Sequence, residues 1–202
     1  MKNRFKISLA LAAAALALTG GAQAQSGSTS TPRSGYSMYA PGSAYIGLNV
    51  GQSNFNLNNG SGAFGSDKRK TAYSLYGGSY FNDYLGLELG YTDFGRINRA
   101  GGQTKAEGFN IGLVGKLPLS PSFNLLGRLG TTYGRTDVSS SIASGVTAGK
   151  DTGWGGSYGI GAEFAFNPQL SAVLQYDEHN LKFAGGNRDR INVTSLGLRY
   201  KF

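Results

Sequence analysis

The amino-acid sequence predicts an all-β protein, an eight-stranded antiparallel up-and-down transmembrane β-barrel. Three observations lead to this class. Bulky apolar residues alternate with small or polar ones in eight separate stretches, the connections between these stretches alternate between short and long, and glycine accounts for 33 of 202 residues. Alternation with a period of two is typical of strands whose two faces meet different surroundings. The glycines follow no G-X-Y period, so a collagen-like fold is excluded.

Residues 1–24 have the anatomy of a secretory signal peptide. The basic residues that open it are Lys2, Arg4 and Lys6. An apolar stretch from Ile7 to Leu18 follows, and Ala22-Gln23-Ala24 fits the motif that precedes cleavage. As a helix, the apolar stretch would span only about 18 Å, short of the ~30 Å hydrocarbon core, which disfavours a membrane anchor. We therefore expect an exported protein that begins at Gln25.

The exported part divides into a leader and a barrel. Residues 25–42 are rich in Ser, Thr, Gly and Pro and have no apolar period, which predicts a flexible leader. The barrel is expected over residues 43–202. The chain contains no cysteine, so neither a disulfide scaffold nor a cysteine nucleophile is expected.

Within the barrel, one face of each strand carries bulky apolar residues, and the other carries glycine, small polar residues and a few charges. The second strand, near Thr71–Phe81, is the least clear, because Tyr, Gly and Ser fall on both of its faces. The bulky faces of the other strands are, in chain order, Ile46, Leu48 and Val50; Leu85, Leu87, Leu89 and Tyr91; Phe109, Ile111, Leu113 and Leu117; Leu125, Leu129 and Tyr133; Trp154, Tyr158, Ile160, Phe164 and Phe166; Leu170, Ala172, Leu174 and Tyr176; and Leu196, Leu198, Tyr200 and Phe202.

The connections support the same fold. Short links follow strands two, four and six, at Asn82-Asp83, Pro118–Pro121 and Asn167–Gln169. Polar, glycine-rich loops of roughly ten to seventeen residues are expected after strands one, three, five and seven. In outer-membrane barrels the short turns are periplasmic and the long loops lie outside the cell, so an even strand count places both chain termini in the periplasm.

A soluble barrel also alternates, but it places its bulky apolar residues inside. An eight-stranded lumen is only wide enough to be filled by side chains, which suits glycine and small polar residues. The bulky face is therefore expected to meet lipid. Two aromatic belts support this interpretation. The first, toward the loops, is Tyr91, Phe109, Tyr133, Trp154 and Tyr176; the second, toward the turns, is Phe123, Phe164, Phe166, Tyr200 and Phe202.

Four segments resemble strands of OmpA-type eight-stranded outer-membrane barrels. They are Tyr84–Tyr91 with Phe94-Gly95-Arg96 just after, Leu126–Gly130, Gly161–Phe164 and the closing Ser195–Phe202. The resemblance covers about residues 44–202. It implies that Leu196, Leu198, Tyr200 and Phe202 form the signal read by the outer-membrane barrel assembly machinery. Full-length relatives carry a peptidoglycan-binding domain after the barrel, and this chain is expected to lack it because it stops at Phe202.

Five charged residues are expected on the lumen face. They are Glu88, Lys116, Arg128, Glu163 and Arg199. Charges in a narrow lumen are costly unless they are paired, so these residues are expected to form an internal plug. In the resembled family a similar network closes the pore with a basic residue of the seventh strand. Here that stretch offers Val173 and Gln175, so Arg128 or Arg199 would have to substitute. Independent charges hydrated by lumen water remain an alternative.

Basic residues of the predicted loops are candidates for binding the phosphates of lipopolysaccharide. The set is Lys68, Arg69, Lys70, Arg96, Arg99, Arg188 and Arg190. A solvated charged surface is the alternative. Outer-membrane lipids are expected partners, and host surfaces and phage are further candidates. Nucleic acid is not expected, because the net charge of +8 is modest for the length and the compartment is wrong.

Catalysis is not expected. His179 is the only histidine and lies near Asp177 and Glu178, but neither a nucleophile-elbow motif nor HExxH accompanies it. The sequence contains no motif with the spacing typical of metal ligands, so neither a metal nor a cofactor is expected. The sequence thus predicts a non-enzymatic outer-membrane barrel with a structural or surface-contacting role. An outer-membrane lipid hydrolase or acyltransferase and a small-solute pore remain as alternatives.

Overall fold

A computed structural model describes residues 44–56, 69–99, 101–141, 146–183 and 188–202, with the side chain of Arg99 left aside. The predicted signal peptide and leader lie outside the described residues. The strands are β1 (Ala44–Phe55), β2 (Arg69–Tyr80), β3 (Leu85–Arg99), β4 (Gly102–Pro118), β5 (Phe123–Val138), β6 (Gly149–Ala165), β7 (Leu170–Lys182) and β8 (Arg188–Lys201). They form one closed barrel in chain order.

Every strand pairs antiparallel with its neighbours in sequence, and β8 returns to pair with β1, for example at Leu198 and Leu48. Each strand is paired on both sides through the middle of the barrel, which is the condition for strands to cross a hydrocarbon layer. Beyond the Tyr73–Asp93 and Ser157–His179 pairs, β2 no longer pairs with β3 and β6 no longer pairs with β7. The predicted eight-stranded antiparallel barrel is confirmed. In the part of the chain that is described, no helix is long and apolar enough to cross a bilayer.

The bulky faces point outward, as predicted. Leu129 and Ile160 are 69% and 66% exposed, whereas their inward neighbours on the same strands are buried or half-buried. Such a surface is unfavourable in water and favourable against lipid. In β2, the strand with the ambiguous pattern, Tyr73 points outward while Tyr76 and Tyr80 point into the lumen.

The prediction of long loops after the third and seventh strands is wrong. β3 runs to Arg99 and β4 begins at Gly102, and β7 ends at Lys182 with β8 starting at Arg188. These strands extend beyond the aromatic belt because their inward side chains pack together there. A β-bulge between Asp93 and Gly95 shifts the pairing of β3 with β4. Gly95 adopts a φ of 84°, a left-handed conformation that favours glycine.

The prediction of a small, polar lumen face is wrong at the end of the barrel that holds the β1–β2, β3–β4, β5–β6 and β7–β8 connections, here called the loop end. Buried apolar residues fill the barrel there, and we call them the loop-end core. They are Phe55, Ala72, Phe94, Ile97, Ala106, Val138, Leu181, Phe183, Ile191 and Val193. Outward residues at the same end are polar, including Asn54, Lys105 and Asp137. This end has the pattern of a soluble barrel, which is what a wall that extends into water requires.

Replacing an outward leucine by arginine tests which face meets lipid. Leu87 lies on the outward face of β3, between Leu85 and Leu89. Leu87→Arg is expected to lower the free energy of unfolding by about 2–4 kcal/mol in lipid vesicles, since a guanidinium near the bilayer midplane is poorly solvated. Leu119→Arg, in the exposed β4–β5 turn, should cost about 0–1 kcal/mol. Equal stabilities in refolding titrations would contradict the assignment of the faces.

A charged lumen as candidate functional site

Glu88 lies at the centre of a group of charges contributed by three strands. The Oε2 atom of Glu88, on β3, lies 3.0 Å from Nη2 of Arg128 on β5 and 3.7 Å from Nη2 of Arg199 on β8. The hydroxyl of Tyr45 also donates to Oε2 over 2.9 Å. All of these residues occupy inward positions on their strands. One carboxylate therefore bridges two guanidinium groups across the lumen.

A second carboxylate, Glu163 on β6, holds the other end of the group. Its Oε1 atom lies 2.8 Å from Nζ of Lys201 and 3.6 Å from Nη1 of Arg199. Ser171 donates to the same oxygen over 2.6 Å, and Asn124 donates to Oε2 over 3.2 Å. The side chains of Glu163 and Arg199 have no exposed surface. Arg199 thus links both carboxylates into one ionic network.

The five predicted lumen residues all point into the barrel, and the structure adds two more. Asp177 Oδ2 lies 3.7 Å from Nη1 of Arg128, and Lys201 contacts Glu163. Lys116 lies with its Nζ 4.6 Å from the centre of the Tyr80 ring. The sequence could have indicated Lys201, because it lies on the same strand face as Arg199. Asp177 follows the same alternation in β7 but drew attention only as a neighbour of His179.

Three tyrosines that the sequence analysis did not single out surround the arginines. The guanidinium of Arg199 lies 4.2 Å from the Tyr45 ring centre, and that of Arg128 lies 5.0 Å from the Tyr76 ring centre. Arg199 also donates to the hydroxyl of Tyr80 over 3.4 Å. Contacts of this kind stabilise a cation that has been removed from water.

Glycines make room for these rings. A Cβ atom at Gly47 would collide with the Tyr76 ring, and one at Gly78 would lie 2.6 Å from the Tyr45 hydroxyl. The glycines opposite these rings are therefore required for the aromatic side chains to enter the lumen.

A neutral hydrogen-bonded layer lies next to the ionic network on the side of the loop-end core. The Thr132 hydroxyl donates to Asn110 over 2.7 Å, and Asn110 donates to Thr92 over 2.9 Å. His179 Nδ1 lies 2.9 Å from the same Thr132 oxygen, and its ring packs against Phe94 at 4.9 Å. Glu178 points to the opposite face from His179, since successive strand residues alternate. Asp177 shares the lumen face with His179, but its carboxylate pairs with Arg128.

A small cavity separates this layer from the charges. It has a volume of about 60 Å³ and is lined by Glu88, Arg128, Asp177 and His179 among others. This is space for a few water molecules, and the polar lining offers them hydrogen-bond partners. The lumen is therefore charged toward the turns, has a small polar-lined cavity in the middle and is apolar at the loop end.

The predicted basic loop residues do not form one cluster. Arg69, Arg188 and Arg190 are exposed, and Arg96 donates to Gln103 over 3.2 Å. Lys70 is half-buried on the inward face of β2. Lys68 and the side chain of Arg99 lie outside the described residues.

The closed barrel with apolar side chains outside and paired charges inside matches one family of proteins. Residues 10–202 fit the model of a family described as the outer membrane protein beta-barrel domain. The chain belongs to this family. Outer membrane protein A of Salmonella typhi is 30% identical over 135 residues, which are 63% of this chain and 39% of that protein. Outer membrane protein A of Klebsiella aerogenes is 31% identical over 160 residues, 76% of this chain and 44% of that protein.

Solved structures agree on the fold of this outer-membrane barrel. Ail, the attachment invasion locus protein of Yersinia pestis, superposes with a TM-score of 0.55 at 20% identity and covers 81% of this chain and 100% of its own. Neisserial surface protein A gives a TM-score of 0.60 at 15% identity, with coverages of 79% and 97%. The chain spans about two fifths of the length of the outer membrane protein A relatives it matches.

Removing the shared arginine tests the network. Arg199→Ala is expected to lower the free energy of unfolding by about 3–5 kcal/mol, because it leaves the buried Glu163 and Glu88 with fewer cationic partners. Arg135→Ala, an exposed outward position on β5, should change it by less than about 0.5 kcal/mol. Urea titrations of both variants in lipid vesicles provide the measurement. Equal losses would show that the barrel does not depend on the lumen pairs.

Proposed function

We propose that this protein is a non-enzymatic structural barrel of the outer membrane, with a lumen closed to solutes and a loop-end surface that contacts lipopolysaccharide. The observation that carries the proposal is that side chains fill the lumen at two levels, the ionic network on one side and the loop-end core on the other. In this proposal the turns and both chain termini face the periplasm, and the long connections face outward.

The two closures act by different physical means. A solute that passes the ionic network has to separate Arg128 and Arg199 from Glu88 and leave buried charges without partners, which is costly. A charged solute that passes the loop-end core has to lose its hydration, because it moves between apolar side chains such as Phe55, Phe94 and Ile191, which are fully buried. The cavity between them has a volume of only about 60 Å³. Closure by two independent layers favours a structural role over a small-solute pore.

Single-channel recording in planar bilayers tests the closure. The wild-type barrel is expected to give no stable conductance. The combination Arg128→Ala with Phe94→Ala weakens both layers and should open measurable current, whereas Arg135→Ala with Phe109→Ala alters only outward positions and should stay silent. A large, stable conductance from the wild-type barrel would overturn the sealed lumen and favour the pore.

The alternative of a lipid hydrolase or acyltransferase depends on His179. Its ring is buried and contacts Thr132 and Phe94, while the nearby Asp177 pairs with Arg128. Among the described residues no carboxylate orients this imidazole, and a ring enclosed by the barrel is poorly placed to activate a nucleophile at the membrane surface.

We expect His179→Ala to leave lipopolysaccharide unchanged. Mass spectrometry of lipid A from strains that express either protein would check this, with a strain lacking the gene as the reference. A lipid A species that requires the wild-type protein and disappears with His179→Ala would favour the enzymatic alternative.

The proposed contact with lipopolysaccharide depends on exposed arginines of the loop end, including Arg69 and Arg190. Guanidinium groups bind phosphates through paired hydrogen bonds. Ail, which shares the fold, is known in complex with the heparin analogue sucrose octasulfate. We extend the chemical class of that ligand, a polyanionic sugar, to the loop end of this barrel. Host surfaces and phage remain further candidate partners.

The proposed assembly signal occupies the outward face of the closing strand. Leu196, Leu198, Tyr200 and Phe202 are all exposed there, and the rings of the last two pack at 5.3 Å. An apolar ridge on one strand is available to a partner that pairs with it during insertion. Recognition by the assembly machinery stays a prediction that this geometry supports.

A further inference from the structure

The outer wall of the barrel differs between its two halves at the loop end. On β3–β6, the residues paired in register across the four strands are all aromatic: Tyr91, Phe109, Tyr133 and Trp154. On β7, β8, β1 and β2, one row is Tyr176, Thr194, Gln52 and Thr71, and the next row toward the loops is Glu178, Asn192, Asn54 and Arg69. The β3–β6 half thus carries a complete aromatic row, whereas the outward residues of β8 and β1 in the two rows are all amides and hydroxyls.

This polar wall begins directly above a lipid-facing row. The residues one step toward the turns are Leu174, Leu196, Val50 and Tyr73, and all four are exposed on the outward face. On β8 and β1 the side chains change from apolar to amide or hydroxyl within one outward step. No aromatic ring on these two strands separates the lipid-facing row from the polar one.

The polar side chains of these rows are accessible to a ligand. Gln52, Asn54, Thr71 and Thr194 are all exposed on the outward face. Polar groups beside an apolar surface are stabilised when a ligand or water satisfies them.

Two arginines flank these amides. Arg69 is exposed at the start of β2, and Arg190 on β8 has 59% of its side chain exposed. The one carboxylate in the rows, Glu178, accepts a hydrogen bond of 2.6 Å from Tyr158 and lies 3.4 Å from Nη1 of Arg190. That contact uses one of the guanidinium nitrogens of Arg190 and leaves others exposed. Two cations and one anion give this wall a net positive charge.

We infer that this wall, here called the amide face, binds the phosphorylated sugar headgroup of lipopolysaccharide in the outer leaflet. Its residues are Gln52, Asn54, Arg69, Thr71, Arg190, Asn192 and Thr194. Amides and hydroxyls exchange hydrogen bonds with sugar hydroxyls, and arginines bind phosphates. The apolar row below accepts acyl chains. One amphipathic ligand can therefore contact the apolar row with its acyl chains, the amides and hydroxyls with its sugars, and the arginines with its phosphates.

The inference rests on the proposed contact with lipopolysaccharide and gives that contact a position. It assigns binding to the flat wall of β8, β1 and β2 rather than to the connections. The aromatic half of the barrel serves as an internal comparison, because Lys105 and Arg135 are outward cations there too.

Binding of purified lipopolysaccharide to the detergent-solubilised barrel tests the inference. Arg69→Ala with Arg190→Ala is expected to raise the Kd at least tenfold. The matched control, Lys105→Ala with Arg135→Ala, removes the same charge from the other half and should change the Kd less than twofold. Gln52→Leu with Thr194→Leu keeps every charge and should still weaken binding several-fold. Folding of each variant is checked by its heat-modifiable migration on gels.

Two further ligands identify the chemistry that is recognised. Dephosphorylated lipopolysaccharide should bind wild type more weakly and should reduce the difference between wild type and the arginine variant. Phosphatidylglycerol vesicles should not distinguish Gln52→Leu with Thr194→Leu from wild type. If they distinguish the variants as lipopolysaccharide does, sugar recognition is overturned in favour of a general attraction to anionic lipid.

Failure of the inference and failure of the proposed function give different results. If the wild-type barrel does not bind lipopolysaccharide at all, the proposed contact is wrong. If wild type binds and Arg69→Ala with Arg190→Ala binds equally well, the contact stands and its assignment to the amide face is overturned.

Discussion

The narrow lumen of an eight-stranded barrel is the constraint on which the rest of this structure depends. The lumen is only as wide as the side chains that enter it. Each inward position therefore holds a glycine that leaves room, a side chain that packs, or a charge that is paired. Glycines at 47 and 78 leave room for tyrosine rings, and these rings in turn lie beside Arg128 and Arg199. Because Arg199 contacts both Glu88 and Glu163, and Arg128 contacts both Glu88 and Asp177, charges from five strands form one connected set. The proposed closure of the lumen depends on this filling.

The alternation of side chains made much of this fold predictable. Leu48, Leu87 and Leu198 point outward because the strand period is two, and the inward position of Glu88 and Arg199 follows from the same rule. The partners of these charges could not be predicted, because they depend on the stagger between strands that are distant in sequence. Glu88 meets Arg128 and Arg199 only once the barrel has closed. Lys201 was on the correct face, but its contact with Glu163 required that geometry.

The side-chain pattern is misleading where the environment changes along a strand. The bulge at Asp93–Gly95 interrupts the period of β3, so that Phe94 and Ile97 resemble loop residues and the hairpin with β4 is hidden. The same change of environment explains the loop-end core, since apolar residues belong outside in lipid and inside in water. The inward tyrosines of β2 were ambiguous for a related reason, because an aromatic residue suits both a lipid belt and a cation in the lumen.

The loop-end core also affects how this protein presents itself outside the bilayer. At the loop end the strands continue as two paired sets, β7–β8–β1–β2 and β3–β4–β5–β6, which pack against each other through the loop-end core. The segments between β1 and β2 and between β5 and β6 join these packed strands, so the core fixes where the segments begin and end. Substitutions in those segments can therefore change what the surface displays while the anchored cylinder beneath retains its packing.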